Sequence, residues 1–167
     1  MSKTFVYADP HFSHKGVTQF LRADGTKLRP WDDANLMDKD LINLYNSVVD
    51  PNDKVYFLGD IAFKPSALHI LARLNGDKVL IKGNHDTLKL SQYSVYFRDI
   101  RACGIFNKFL LTHIPVHPSQ KARWKGNIHG HMHGNSLDDP WYTCVSVEQT
   151  EYKPINIETV MRRYEAL

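Results

Sequence analysis

Five short blocks of this 167-residue chain carry side chains that hold metal ions or move protons: Asp9-Pro10-His11, Gly59-Asp60, Gly83-Asn84-His85-Asp86, His113 and Gly130-His131-Met132-His133. Histidine occurs nine times, and it is the residue most used for both tasks near neutral pH. Carboxylates, an amide oxygen and imidazoles together suit Mn, Fe, Zn and similar first-row ions, whereas an all-oxygen set would favour Mg or Ca and an all-thiolate set structural Zn. Asp9, His11, Asp60, Asn84, His113, His131 and His133 are too many donors for one such ion. Two ions sharing a carboxylate account for the number, and ion pairs about 3.5–4 Å apart serve in-line displacement at phosphorus. The expected chemistry is phosphoester hydrolysis.

Such donors must come from distant parts of the chain to one rim, and the patterning offers a way. Thr4 to Ala8, Lys54 to Leu58 and Lys78 to Ile81 are strand-like runs, and each stops at a donor block. Leu36, Met37, Leu41, Leu44, Tyr45, Val48 and Val49 recur at helical spacing, and Pro65 to Leu74 is a shorter helical stretch. Strands alternating with helices imply right-handed crossovers and a parallel sheet, whose ligands gather at the carboxyl ends of the strands. After that the helical signal fades, and Phe97 to Ala102, Lys108 to Thr112, Asn127 to His129 and Thr143 to Val147 read as strands of a second, mixed or antiparallel sheet. Ile157, Val160, Met161 and Tyr164 predict a closing amphipathic helix.

Composition narrows the class. The hydrophobic share is 43% with 23% charged residues, an ordinary globular balance at a length that predicts one domain over 1–167. Lys and Arg exceed Asp and Glu by 21 to 18, too little to demand a polyanion, so nucleic acid is neither required nor excluded. The apolar runs are far shorter than the roughly 20 residues needed to cross a bilayer, so no membrane partner is expected. The first residues read into a strand without a signal region, and the expected location is the cytoplasm. Cys103 and Cys144 are read as buried thiols.

The five blocks, in this order, resemble the calcineurin-like metallophosphoesterases, and the resemblance spans residues 9 to 133. It implies an α/β fold of two stacked sheets flanked by helices, parallel in the first half and mixed in the second. By similarity Asp9, His11, Asp60 and His133 would hold one divalent ion and Asp60, Asn84, His113 and His131 the other, with Asp60 as the bridge. Mn is the first expectation for both ions, with Fe, Zn, Ni or Co as alternatives. His85 would act as general acid toward the leaving alkoxide, with Asp86 orienting its ring. Asp9-Pro10-His11-Phe12-Ser13-His14, Val147-Glu148-Gln149-Thr150 and Tyr152-Lys153-Pro154-Ile155 look like a compact branch common among phage and bacterial phosphoesterases, which would place a phage-encoded chain in the host cytoplasm. One departure, Trp141-Tyr142-Thr143-Cys144 where larger members often have an Asn- or Gly-rich turn, bears on what the resemblance implies for the substrate pocket and not for the metal site.

Other residues carry competing readings. His14 either touches substrate phosphate or starts a helix, and Arg29 either reaches substrate as a forked donor or packs over Trp31. His69 reads as structural, and His117 and His129 as structural or supporting. Lys121, Arg123 and Lys125 beside Trp124 read as a solvated loop rather than a phosphate-contact surface. The function expected is hydrolysis of a small phosphate mono- or diester, nucleotide-like or cyclic. A nuclease using the same centre and a non-catalytic scaffold of the same fold are the alternatives.

Overall fold

The computed structural model describes residues 2–165. Four strands, β1 (Thr4–Tyr7), β2 (Lys54–Phe57), β3 (Asp77–Ile81) and β4 (Asp99–Arg101), run parallel as neighbours, and β9 (Ile155–Asn156) closes the β1 edge antiparallel. The second sheet orders β5 (Gly104–Phe106), β6 (Phe109–Thr112), β7 (Gly126–His129) and β8 (Tyr142–Cys144), antiparallel between β5 and β6 and parallel thereafter. This is the expected α/β sandwich, with a parallel first half and a mixed second half.

The period of two along each strand builds two cores. Phe5 and Tyr7, Val55 and Phe57, and Leu80 point to one face, where they meet Met37, Leu41, Ile42 and Tyr45 of helix α1 (Ala34–Asn46). Val6, Ala8, Tyr56, Leu58, Val79 and Ile81 point to the other, against Phe109, Leu111 and Ile128 of the second sheet, Val145 just past β8, and Ile157 and Val160 of α3 (Ile157–Glu165). Strands buried on both faces explain why β1 to β3 read as continuous apolar runs. Asp33 starts α1 by accepting from the backbone N–H of Asn35 and Leu36 at 2.9 and 3.0 Å, which satisfies two donors that the first turn leaves unpaired.

Five details differ from the patterning. The run Phe97 to Ala102, expected in the second sheet, supplies β4 of the first: the Arg98 N–H donates to the Lys78 carbonyl at 2.9 Å and the Lys82 N–H to the Arg101 carbonyl at 3.0 Å, which seats it parallel on the open edge of β3. Pro65–Arg73 forms a 3-10 helix that buries Ala67, Leu68, Ile70 and Leu71. The hairpin of β5 and β6 turns at Asn107 and Lys108, both at positive φ, a two-residue connection that the short flanking runs conceal. Loop 87–96 contains a single helical turn, α2 (Leu90–Tyr93). The run over 143–147 divides: β8 ends at Cys144, the Val147 N–H donates to the Ala8 carbonyl at 3.0 Å, and Val147–Gln149 coils into a 3-10 turn. There the chain leaves the second sheet for the end of β1, a crossing that local propensity does not encode. Cys103 is exposed and Cys144 half-buried, so neither is the fully buried thiol expected. Among the described residues no helix is long and apolar enough to cross a membrane.

Candidate metal centre

The carboxyl ends of β1, β2, β3, β6 and β7 converge, and the seven donor residues come with them. Asp9, His11 and His133 offer ligand atoms all within 4.8 Å of one another, and so do Asp60, His113 and His131. Asp60 Oδ2 faces both groups, 3.7 Å from His11 Nε2 and 3.4 Å from His113 Nε2. Asn84 joins the second group, its Oδ1 2.7 Å from His113 Nε2. His113 Nδ1 donates to the Leu58 carbonyl at 2.7 Å, which orients the ring so that Nε2 faces the same space as Asn84 Oδ1 and Asp60 Oδ2.

The backbone is forced to make this possible. Asp9, His11, Asp60, His131 and His133 all have φ between 50° and 70°, the left-handed region that costs a non-glycine residue about 1 kcal/mol or more. Asp and His are among the residues that tolerate it best. At Gly59, with φ +90°, a Cβ would lie 2.6 Å from both the Gly83 backbone and His113 Nδ1, and at Gly83 one would lie 2.2 Å from Asp60 Oδ1. The two glycines let the loops after β2 and β3 touch. Strain gathered at one rim is the mark of a site whose geometry is selected for something other than stability.

Several buried donor atoms have no protein partner. Asp9 Oδ1 and both ring nitrogens of His11 make no hydrogen bond, a costly arrangement unless a cation or water completes it. An oxygen and imidazole set with orphaned inward-facing atoms fits divalent first-row ions. Burial pushes the Asp9 carboxyl up to about 6, against the pull of His113 and the Ser146 hydroxyl. Asp60 goes the other way: burial opposes its charge, but His113 and the His85 N–H outweigh it and hold the carboxyl below its ordinary range. Burial, helped by the Arg29 charge, keeps the His11 ring neutral by lowering its pKa well below the usual histidine value.

A second layer holds the donors. Asp9 Oδ2 accepts from Ser146 Oγ at 2.6 Å and from the His131 N–H at 2.9 Å. His133 Nδ1 lies 3.1 Å from Glu148 Oε1, which also accepts from Arg29 Nε at 2.8 Å. Burial works against the Glu148 charge, yet His133 and Arg29 bring its pKa down to about 2. Arg29 is not a substrate donor. Its side chain is buried, and it gives its remaining N–H groups to the carbonyls of Asp9 and Pro10 at 2.6 and 2.8 Å. Nor does Asp86 orient His85: its buried carboxylate accepts from the backbone N–H of Asp60, Ile61 and Gly83 at 2.8 to 2.9 Å and so shapes the loop that presents Asp60.

His85 and His14 stand at the rim. His85 donates its N–H to Asp60 Oδ1 at 2.9 Å while its exposed ring sits 6.0 Å from that of His11. His14 precedes the 3-10 helix Lys15–Gln19 without a side-chain cap bond, and its ring lies 4.4 Å from Phe63. His69, exposed, turns to the Ser66 carbonyl, and His117 caps a 3-10 turn. His129 is buried beside the Gly130 carbonyl at 2.8 Å. Lys121 and Lys125 line a separate cavity with Trp141 and Tyr164. Ser146 and Glu148 were not singled out as supports because both lie where the chain crosses between sheets; the one signal was the Val147-Glu148-Gln149-Thr150 block, which gave Glu148 no role.

No family model matches the chain. It is 34% identical to the uncharacterized protein MJ1445 of Methanocaldococcus jannaschii over 177 residues, covering 99% of this chain and 93% of that protein. The chain belongs to the family of MJ1445. Among solved structures, the protein of unknown function AQ665 from Aquifex aeolicus matches with a TM-score of 0.72 and 23% identity, covering 97% of this chain and 99% of that one. The sandwich is therefore a fold found in a solved protein.

Proposed function

We propose that this protein is a metal-dependent phosphoesterase of the calcineurin-like kind, hydrolysing a phosphate mono- or diester at a two-ion centre. The observation that carries the reading is the position of Asp60 Oδ2 between the two donor groups, 3.7 Å from His11 Nε2 and 3.4 Å from His113 Nε2, where one carboxylate serves both. Asp9, His11 and His133 would hold one ion and Asn84, His113 and His131 the other. Two divalent ions bound there would supply activated water at neutral pH and polarise the phosphoryl oxygens. Ser146, Glu148 and Arg29 hold the first group in place. His85, whose ring makes no hydrogen bond among the described residues, is free to give a proton to the departing ester oxygen as the P–O bond breaks. We assign His14, whose ring lies 5.7 Å from that of His11, to donation toward a phosphoryl oxygen. We place this work in the cytoplasm, where an exposed unpaired thiol such as Cys103 stays reduced.

The test is metal loading followed by elemental analysis, with a panel of monoesters, cyclic nucleotides and short oligonucleotides assayed in the presence of Mn. Two ions per chain and hydrolysis of a small ester are expected. A stoichiometry of one that Asp60→Asn leaves unchanged would overturn the shared-carboxylate assignment, and oligonucleotide cleavage in preference to small esters would make the protein a nuclease.

A further inference from the structure

The proposed centre would treat every phosphoryl group alike, so selectivity must lie in what surrounds it. A groove of about 860 Å³ opens directly beside the centre and is lined by His131 of one donor group and His133 of the other. Its walls carry Phe20, Leu21, Ile114 and Leu137, which are 49%, 63%, 49% and 39% exposed. Nine large hydrophobic side chains are exposed among the described residues, and with four of them in one concavity the clustering marks a binding surface rather than scattered surface residues.

The groove is built rather than incidental. Phe20 and Leu21 belong to a loop tied by Arg22 N–H to the Thr26 carbonyl at 2.7 Å and Leu28 N–H to the Phe20 carbonyl at 2.8 Å. Ordering that loop costs chain entropy, yet it presents the two side chains outward instead of burying them. Ile114 directly follows the candidate ligand His113, and Leu137 lies four residues past His133. Polar groups enter the groove too: Asp24 and Asn135 line it, and Arg22 lies against Gly134, where a Cβ would be 2.5 Å from its Nη1, donates from Nη2 to the Leu28 carbonyl at 3.4 Å and forms no ion pair among the described residues.

Resting on the phosphoesterase reading, we infer that the groove binds the alcohol half of the substrate, and that this half is an apolar or aromatic group long enough to reach from His131 and His133 to Phe20, Leu21 and Leu137. Arg22 is available to a hydrogen-bond acceptor carried on that group. The substrate class is an amphipathic phosphoester, not a short alkyl or sugar phosphate. Continuity of the groove with both donor groups is what assigns it to substrate rather than to another protein.

Ethyl phosphate and 3-phenylpropyl phosphate, each offered as monoester and as methyl diester, test this on the Mn-loaded protein. Their leaving alcohols are similarly basic, so the chemical step is matched and the difference reads groove contact. Burying the phenylpropyl group should raise kcat/KM by about 10–100-fold. Leu21→Ser and Leu137→Gln, both at exposed positions, should bring that ratio toward one with metal content and Tm retained. Equal kcat/KM for the two esters in wild type, or a ratio that neither variant changes, would overturn the groove assignment while leaving the phosphoesterase reading intact. No hydrolysis of any ester with two ions bound would overturn both. A wild-type dimer that these variants dissociate without altering the ratio would give the face to a second copy and also overturn it.

Discussion

The two donor groups differ in what stands behind them. Asp9, His11 and His133 rest on a buried frame: Ser146 and a backbone N–H on Asp9, Glu148 on His133, and Arg29 tying Glu148 to the carbonyls of Asp9 and Pro10. Asp60, Asn84, His113 and His131 are held mostly by backbone, through the Asp86 carboxylate under the Asp60 loop and the Leu58 carbonyl on His113. Asn84 is exposed, and this side opens to the rim where His85 stands. The difference teaches a division of labour. One half is braced by compensated buried charge, and the other is the more open to the rim; on the proposed function the open half is the one where His85 would meet substrate. Carboxylate chemistry follows the same line, with Asp9 pushed up by burial and Asp60 held low by its partners.

The most damaging change is the one that both halves share. Asp60→Asn should reduce bound metal and lower kcat/KM beyond the roughly 10²–10⁴-fold that a general acid supplies; near-normal turnover with two ions would dissolve the comparison. His85→Ala probes the open rim without touching either donor group. It should keep both ions and lose about 10²–10⁴-fold on alkyl esters, yet much less on nitrophenyl esters, whose leaving group needs no proton. Equal losses on the two ester types would move His85 from proton donor to phosphoryl contact.

Glu148→Gln sharpens the contrast from behind. Outer partners of ligating histidines typically contribute 10–100-fold in metal affinity, so one ion should weaken by about that factor while the other is retained. Metal titration followed by elemental analysis checks it, and equal weakening of both would show that the frame serves the whole centre. Asn84→Ala is the mirror change and should weaken the opposite ion.

The smallest effect is in pH dependence of the chelated protein. Asp9 in the folded state has a pKa of about 6, above its ordinary 3.8. The native state therefore binds that proton more tightly, and the group's contribution to stability is lost as pH rises from about 4 through 6. Against Asp9→Asn, which cannot ionise, chelated wild type should become progressively less stable over that window, read as the difference in Tm. A difference that stays flat would show that the site relaxes or hydrates when the metal leaves.

Most of the candidate site was legible in the sequence because its donors sit at strand ends, and strand ends are marked locally by apolar runs stopping at Asp, Asn or His. Asp9, Asp60, Asn84, His113 and His131 needed no tertiary information to be picked out. Arg29 and Asp86 show where that reasoning fails. Both have side chains suited to substrate or proton chemistry, and both are turned inward to satisfy backbone groups, a choice made by burial and not by sequence spacing. Ser146 and Glu148 were invisible as supports because what they brace, Asp9 and Arg29, lies 137 and 119 residues away, although both also meet His133.

The sequence by itself marked the three strands β1 to β3 of the parallel sheet and the candidate donors at strand ends, since hydrophobic periods and chain punctuation are local properties. Only the tertiary structure decided that the strand over Asp99–Arg101 joins the first sheet, that Arg29 is a brace, and that an apolar groove opens beside His131 and His133. Those facts depend on where the two sheets stack and on where the chain crosses from β8 to the end of β1. Contacts of that range are set by packing the whole core, and no window of sequence contains them.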